Sequence, residues 1–119
     1  MDAYIYAADI YCPECAKEIR KRIRKEGFAP ADPKDESSYD SDEYPKGPFS
    51  DGGGESDTPQ HCGSGPDCLN AIELSDGVKI GAWLENSLTQ EGVEYVRGYL
   101  DEQNEVTKLW ADWYAEELG

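Results

Sequence analysis

The 119-residue chain has little positive charge, with 11 Lys and Arg against 26 Asp and Glu and a formal net charge of −15. That scarcity excludes a simple binder of nucleic-acid phosphate, which needs clustered cations. Long apolar runs are missing as well, and no stretch approaches the roughly 18 apolar residues of a membrane span. Residues 1–11 lack the basic start and long apolar core of a secretion signal, so a cytoplasmic address is expected. The Asp- and Gly-rich runs between residues 40 and 57 contain no Asp-x-Asp-x-Asp-Gly series, which sets calcium aside. What is present is aromatic: three Trp and eight Tyr are too many for a wholly disordered acidic tail. One domain spanning residues 1–119, with one modest core, is expected.

The charges are unevenly placed. Residues 29–66 hold nine acids and two Lys, a net of −7, and residues 85–119 hold nine acids with Arg97 and Lys108, again −7. Six cations sit together instead in Lys17, Arg20, Lys21, Arg22, Arg24 and Lys25.

Tyr and Ile in residues 3–8 suit a short strand. From Ala16 to Glu26, Ala16, Ile19 and Ile23 mark one helix face, and Gly27 is a natural stop. Residues 29–66 carry six of the seven Pro and many Gly, which argues against regular structure there. A loop of that length needs a tether or a function, and Tyr39, Tyr44 and Phe49 are candidates to tack it onto the core. Residues 70–84 read as a hairpin. A three-residue loop, Ser75-Asp76-Gly77 with Gly77 left-handed, pairs Leu74 with Val78 and Ile72 with Ile80, and sets Glu73 opposite Lys79. Two helices should follow. The first is capped by Thr89 and carries Val93, Val96, Tyr99 and Leu100 on one face; Gln103 and Asn104 break it. The second, Glu105 to Leu118, places Val106, Leu109, Trp110, Trp113 and Tyr114 inward. The expected fold is α+β, a small antiparallel sheet of the N-terminal strand plus the hairpin, packed by about three helices.

Cys12 and Cys15 have Cys-x-x-Cys spacing, and Cys62 and Cys68 return with five intervening residues. Four soft ligands close a tetrahedron in structural zinc sites, and Gly63 and Gly65 would let the longer loop fold back. Such a metal would clip both ends of the long loop and supply its tether. Four Cys leave no open position for catalysis, so the metal is read as structural; His61, the one histidine, is the alternative ligand in place of one Cys. A strand, then Cys-Pro-Glu-Cys, then a helix also resembles the start of a glutaredoxin or thioredoxin. That resemblance covers about 25 residues and implies the enzyme alternative, a thiol oxidoreductase using Cys12 and Cys15.

Acids recur on faces. Glu105, Asp112 and Glu116 fall on one side of the last helix, at axial spacings of roughly 10 and 6 Å, against phosphates about every 3.4 Å along a DNA strand. Glu94 and Asp101 share a face of the preceding helix, with Glu91 and Glu102 adjacent, and the loop adds Asp35, Glu36, Asp40, Asp42 and Glu43. Like charges so dense repel one another, which a cationic partner would relieve. The cations between Lys17 and Lys25 are expected to pair with nearby acids or line the loop.

Taken whole, Tyr-Ala-Ala-Asp-Ile-Tyr-Cys-Pro-Glu-Cys, Tyr-Pro-Lys-Gly-Pro-Phe and Gln-His-Cys-Gly resemble small uncharacterised proteins of phages and bacterial mobile elements. That class includes anti-CRISPR and anti-restriction proteins that act as DNA mimics. The resemblance implies a zinc-stabilised acidic inhibitor in the bacterial cytoplasm that occupies the DNA-binding surface of a host defence complex such as a CRISPR effector, without binding nucleic acid or membrane itself. The alternative is a zinc-clipped protein-interaction module without mimicry.

Overall fold

A computed structural model describes residues 1–119. The chain opens with a tight hairpin of β1 (Ala3–Tyr6) and β2 (Asp9–Tyr11), paired Tyr4 to Tyr11 and Tyr6 to Asp9. Only Ala7 and Ala8 connect them, both at positive φ, 50° and 62°. This is the backbone of a two-residue turn that normally takes Asn-Gly. The single strand expected over residues 3–8 is therefore a four-residue strand followed by its two-residue turn. Ala7 N–H donates to the Ser41 carbonyl (3.0 Å), fastening the turn to the long loop.

Helix α1 (Pro13–Lys25) starts directly on the hairpin, with Pro at the first helical position where no N–H is missed. It ends as the glycine anticipates. Gly27 is at φ 81°, Phe28 N–H reaches the Ile23 carbonyl and Gly27 N–H the Arg24 carbonyl, the paired bonds of a Schellman ending.

The long loop holds more order than its Pro and Gly content suggests. Lys46–Phe49 forms β3, antiparallel to β1, so the sheet runs β2-β1-β3. Tyr39 and Tyr44 are buried edge-to-face, with ring centroids 5.5 Å apart, and pack with Ile23 of α1. Phe49 does not join them and is 36% exposed. The loop is thus tethered by a strand and two tyrosines.

The second hairpin, β4 (Ile72–Glu73) and β5 (Lys79–Ile80), has the expected register, Ile72 opposite Ile80 and Glu73 opposite Lys79, with Leu74 N–H on the Val78 carbonyl and Gly77 at φ 87°. It forms a sheet of its own and does not extend the N-terminal one, whose free edge is taken by β3. The α+β class holds, but the grouping of strands differs.

Helix α2 (Gln90–Tyr99) is capped by the Thr89 hydroxyl, which accepts from Gly92 N–H at 3.1 Å. Asn104 caps α3 (Glu105–Trp113) through a reciprocal box with Thr107. The last stretch is not one helix. Tyr114 interrupts it at ψ 21°, and α4 (Ala115–Leu118) follows. Val106, Trp110 and Tyr114, four residues apart, are buried with Val96 and Trp83. Leu109 and Trp113, expected inward, are instead 43% and 55% exposed, and Tyr99 is exposed too. The buried stripe on α3 is narrower than the arc drawn from the sequence.

Candidate metal centre

The first two cysteines are placed by the β2–α1 junction: Cys12 is the N-cap of α1 and Cys15 lies in its first turn. The other two come from the far end of the long loop. Residues 60–62 run antiparallel to residues 82–84, with Cys62 N–H on the Ala82 carbonyl and Leu84 N–H on the Gln60 carbonyl, both at 2.8 Å. This ribbon brings the backbone at Gly81 so close that an added Cβ would lie 2.1 Å from the Cys62 carbonyl oxygen. Gly63 N–H then donates to the Ile10 carbonyl (2.6 Å), joining the ribbon to β2. Between Cys62 and Cys68 the chain turns through the short 3₁₀ segment Gly65–Asp67, with Gly65 at φ 55°, as the glycines predicted.

All four cysteines are buried free thiols, and their sulfurs lie within 4.8 Å of one another. The Cys12–Cys68 and Cys15–Cys68 sulfurs are each 3.7 Å apart. A tetrahedron of sulfurs about 2.3 Å from a central ion has edges of about 3.8 Å. Two edges therefore already have the length that a tetrahedral thiolate site requires. The donor set is soft and closed, so the cluster can hold a metal ion and leaves no ligand position for a substrate.

The surroundings favour thiolate at part of the cluster. Leu69 N–H points at the Cys15 sulfur and Asn70 N–H at the Cys68 sulfur, both at 3.4 Å. Burial alone would push Cys15 up, but hydrogen bonds from the Ser64 hydroxyl and the Leu69 amide outweigh it and hold its thiol below the usual range. Burial raises both Cys12 and Cys62. Without a cation the buried pocket cannot hold four thiolates; a divalent ion is what would let all four ionise.

His61 is not part of this group. Its Nδ1 lies 2.8 Å from the Gly81 carbonyl, its ring packs at 5.9 Å from Trp110, and burial lowers its basicity. Adjacent residues on an extended ribbon point to opposite faces, so with Cys62 inward on the thiols, His61 faces the helices.

Asn70 is a neighbour that motif reading missed. Its side-chain amide donates to the Glu14 carboxylate (2.8 Å) and lies 4.0 Å from the Cys12 sulfur, linking the two cysteine segments. The only available signal was its place two residues after a ligand, where an amide can cap the sulfur.

The strand before Cys12 belongs to an antiparallel hairpin within a wholly antiparallel sheet. The order strand, Cys-Pro-Glu-Cys, helix is present as β2, Cys12–Cys15 and α1, but the sheet it leaves from is antiparallel throughout.

The acidic residues are scattered around this centre. Asp35 caps the short turn Glu36–Ser38, and its carboxyl is held below the usual range by the Ser37 hydroxyl and amide. Glu36 accepts from Gly47 N–H at 2.7 Å. Asp40, Asp42 and Glu43 are exposed, as are Glu91, Asp101, Glu102, Asp112 and Glu116. Glu94 is exposed and pairs with Arg97. Glu105 is half-buried, with Oε2 shut off from solvent and unpartnered. With Glu105 withdrawn and the helix broken at Tyr114, the regular carboxylate row at residues 105, 112 and 116 is not formed.

Of the two expectations for the α1 cations, ion pairing with nearby acids is not seen, while lining the loop holds for Arg20, which donates to the Pro45 carbonyl and borders residues 33–37. The two salt bridges in the chain are Arg97 with Glu94 and the N-terminal amine with Glu85. Comparison with protein-family models, curated proteins and solved structures returns no match, so the functional reading rests on the chain's own residues.

Proposed function

We propose that the protein is a zinc-stapled polyanionic binding protein that occupies the cationic DNA-binding surface of a partner, as an anti-CRISPR-type inhibitor would. The observation that carries this reading is the state of the carboxylates: of 26 acids, Glu94 alone lies within ion-pair distance of a side-chain cation. An acidic protein whose charge served internal stability would show the acids neutralised. Here they repel one another across the surface, a cost that a cationic partner removes on binding. Four thiolates on a divalent zinc add two further negative charges to the chain.

The display needs no regular helical row. It uses the exposed loop acids Asp40, Asp42 and Glu43 and the helix acids Glu91, Asp101, Glu102, Asp112 and Glu116. A complex that holds DNA through Lys and Arg offers the matching surface. The test is competition: a DNA-binding CRISPR effector is titrated with the protein at several salt concentrations. Displacement of DNA that weakens steeply with salt, and that is lost on reversing Asp40, Asp42 and Glu43 to Lys, supports the proposal. Displacement untouched by reversing either acidic group overturns it.

A second reading is favoured by one specific surface. The exposed Leu109 joins Met1, Pro13, Ile72, Ala82 and Trp83 around a cleft of about 490 Å³, and the exposed Trp113 stacks edge-on against Trp83 with centroids 5.7 Å apart. Large aromatics with apolar neighbours are the usual anchors of a protein interface. Binding through this face would have a shallow salt slope and would be lost in Trp113→Ala.

A further inference from the structure

Helix α1 carries positive charge that the acidic surface does not explain. Lys17, Arg20 and Arg24 follow one another at i, i+3 and i+7, the spacing of one helix face. Together with Tyr4 and Pro13 they line a cleft of about 370 Å³ between α1 and the first hairpin. In a chain with 26 acids, no acid lines this cleft.

The acids nearest in sequence are occupied elsewhere. Glu14 is bound to the Asn70 amide beside the cysteines, and Glu18 faces the opposite side of the helix with Cys15, Ile19 and Arg22. Asp35 and Glu36 border a separate hollow on the other flank of Arg20, where Ser37 and Gly47 N–H take their oxygens.

Arg20 is already fixed in place. Its guanidinium lies 5.0 Å from the Tyr4 ring centroid and 5.1 Å from that of Tyr44, and Nη2 donates to the Pro45 carbonyl at 2.7 Å. Its Nε is buried and has no partner. The cleft gathers three cations with no acid in its lining, and an anion entering between Lys17, Arg20 and Arg24 would supply the missing partner. Lys17 and Arg24, one turn to either side and exposed, are placed to close over such an anion.

We propose that this cleft is a phosphoryl-binding site, holding a phosphate or diphosphate group between Lys17, Arg20 and Arg24 with the Tyr4 ring as one wall. Arg forks match phosphate oxygens in pairs, and Lys adds a point charge. The overall negative charge does not forbid this, because beyond about 8 Å it is screened at physiological salt while the three cations act at contact range. The site uses none of the acidic residues and none of the four cysteines.

The experiment follows backbone amide resonances of the full, metal-loaded chain during titration with inorganic pyrophosphate and, separately, ADP. Saturable shifts confined to residues around Tyr4 and 13–24 support the site. Equal affinity for the two probes identifies the phosphoryl groups as the whole of the recognition, and tighter ADP binding adds a base or sugar contact at Tyr4. Arg24→Gln and Lys17→Gln, both at solvent-facing positions that leave the fold intact, should each weaken binding about tenfold. Lys25→Gln, outside the cleft, should leave binding unchanged. Absence of saturable shifts with both probes overturns the proposal. So does equal weakening by Lys25→Gln, which would mark diffuse charge attraction.

Discussion

The region around the cysteines and the region around α2 and α3 are built on different physics. The first has a cluster of seven buried residues, Ala3, Cys12, Cys15, Cys62, Cys68, Ala82 and Leu84, four of which are thiols. Small side chains bury little area, so this cluster alone supplies little of the drive to close a long acidic loop. The second has Trp83, Val96, Val106, Trp110 and Tyr114, with capped helices at both ends. One region gathers four thiols, from positions 53 and 56 residues apart in sequence, that can hold an ion, and the other is built on aromatic area. We propose that a metal bound there stands in for the apolar core that this polar region lacks.

The sharpest way to break this contrast is to remove the metal. Structural zinc contributes roughly 10–16 kcal/mol in small zinc-folded peptides, so chelation should be the largest perturbation available. Hydrogen exchange should then rise through β1, β2, the long loop and the 60–70 segment while α2 and α3 keep most of their protection. Simultaneous loss of protection in both regions would refute the division. Because thiols must lose protons to bind metal, and Cys12 and Cys62 are pushed up by burial, affinity should fall as pH is lowered. Metal content measured after dialysis across an acid series checks the direction.

The converse perturbation is Trp110→Ala. Removing a large buried aromatic costs about 3–5 kcal/mol, and helical circular dichroism should drop accordingly. Metal stoichiometry, read by elemental analysis, should remain one per chain. Loss of both would mean that the aromatic cluster also supports the cysteine site, through the ribbon at residues 60–62 and 82–84.

Tyr114→Phe is a smaller test of the same region. The Tyr114 hydroxyl donates to the carbonyl of Asn86, and burial pushes the phenol up to about 12. Asn86 in turn receives Gln60 N–H on Oδ1 and donates to the Thr58 and Ser87 carbonyls, which ties the end of the long loop to the helices. Deleting the hydroxyl leaves a buried carbonyl short of a donor, a loss of about 1–3 kcal/mol in a denaturant melt. Metal binding should be unaffected.

The features that local chemistry determines were legible in the sequence. Gly77 and the alternation around it set the register of β4 and β5, and Thr89 marked its cap. The four cysteines announced a cluster by residue type alone. Other features depended on partners far along the chain. The pairing of β3 with β1 runs through Lys46-Gly-Pro-Phe, whose composition argues against a strand; pairing across some 40 residues decides it. The outward Leu109 and Trp113 were misplaced because a 14-residue helix with a broad apolar arc was assumed, whereas the buried apolar stripe is Val106, Trp110 and Tyr114, with only Thr107 of α3 buried beside it. The acid-free cleft along α1 was equally hidden, since no spacing rule reveals that Glu14 is taken by Asn70.

The smallest effect concerns the first turn and sharpens the comparison from the metal side. Ala7 and Ala8 both occupy the left-handed region, where an L-residue with a Cβ is disfavoured by roughly 1–2 kcal/mol. Asn and Gly adopt it readily, so their absence concealed the turn in the sequence. Ala8→Gly should relieve the strain, offset in part by the greater freedom Gly gives the unfolded chain, for a net gain of about 0.5 kcal/mol. The gain should appear as slower metal release to a chelator, because β2 leads straight into Cys12 and a better-formed hairpin holds that ligand in place. An unchanged melt of the α2–α3 region, followed by Trp fluorescence, would accompany it. If Ala8→Gly speeds metal release, the hairpin is not what positions Cys12, and the ribbon at Cys62 must carry that task alone.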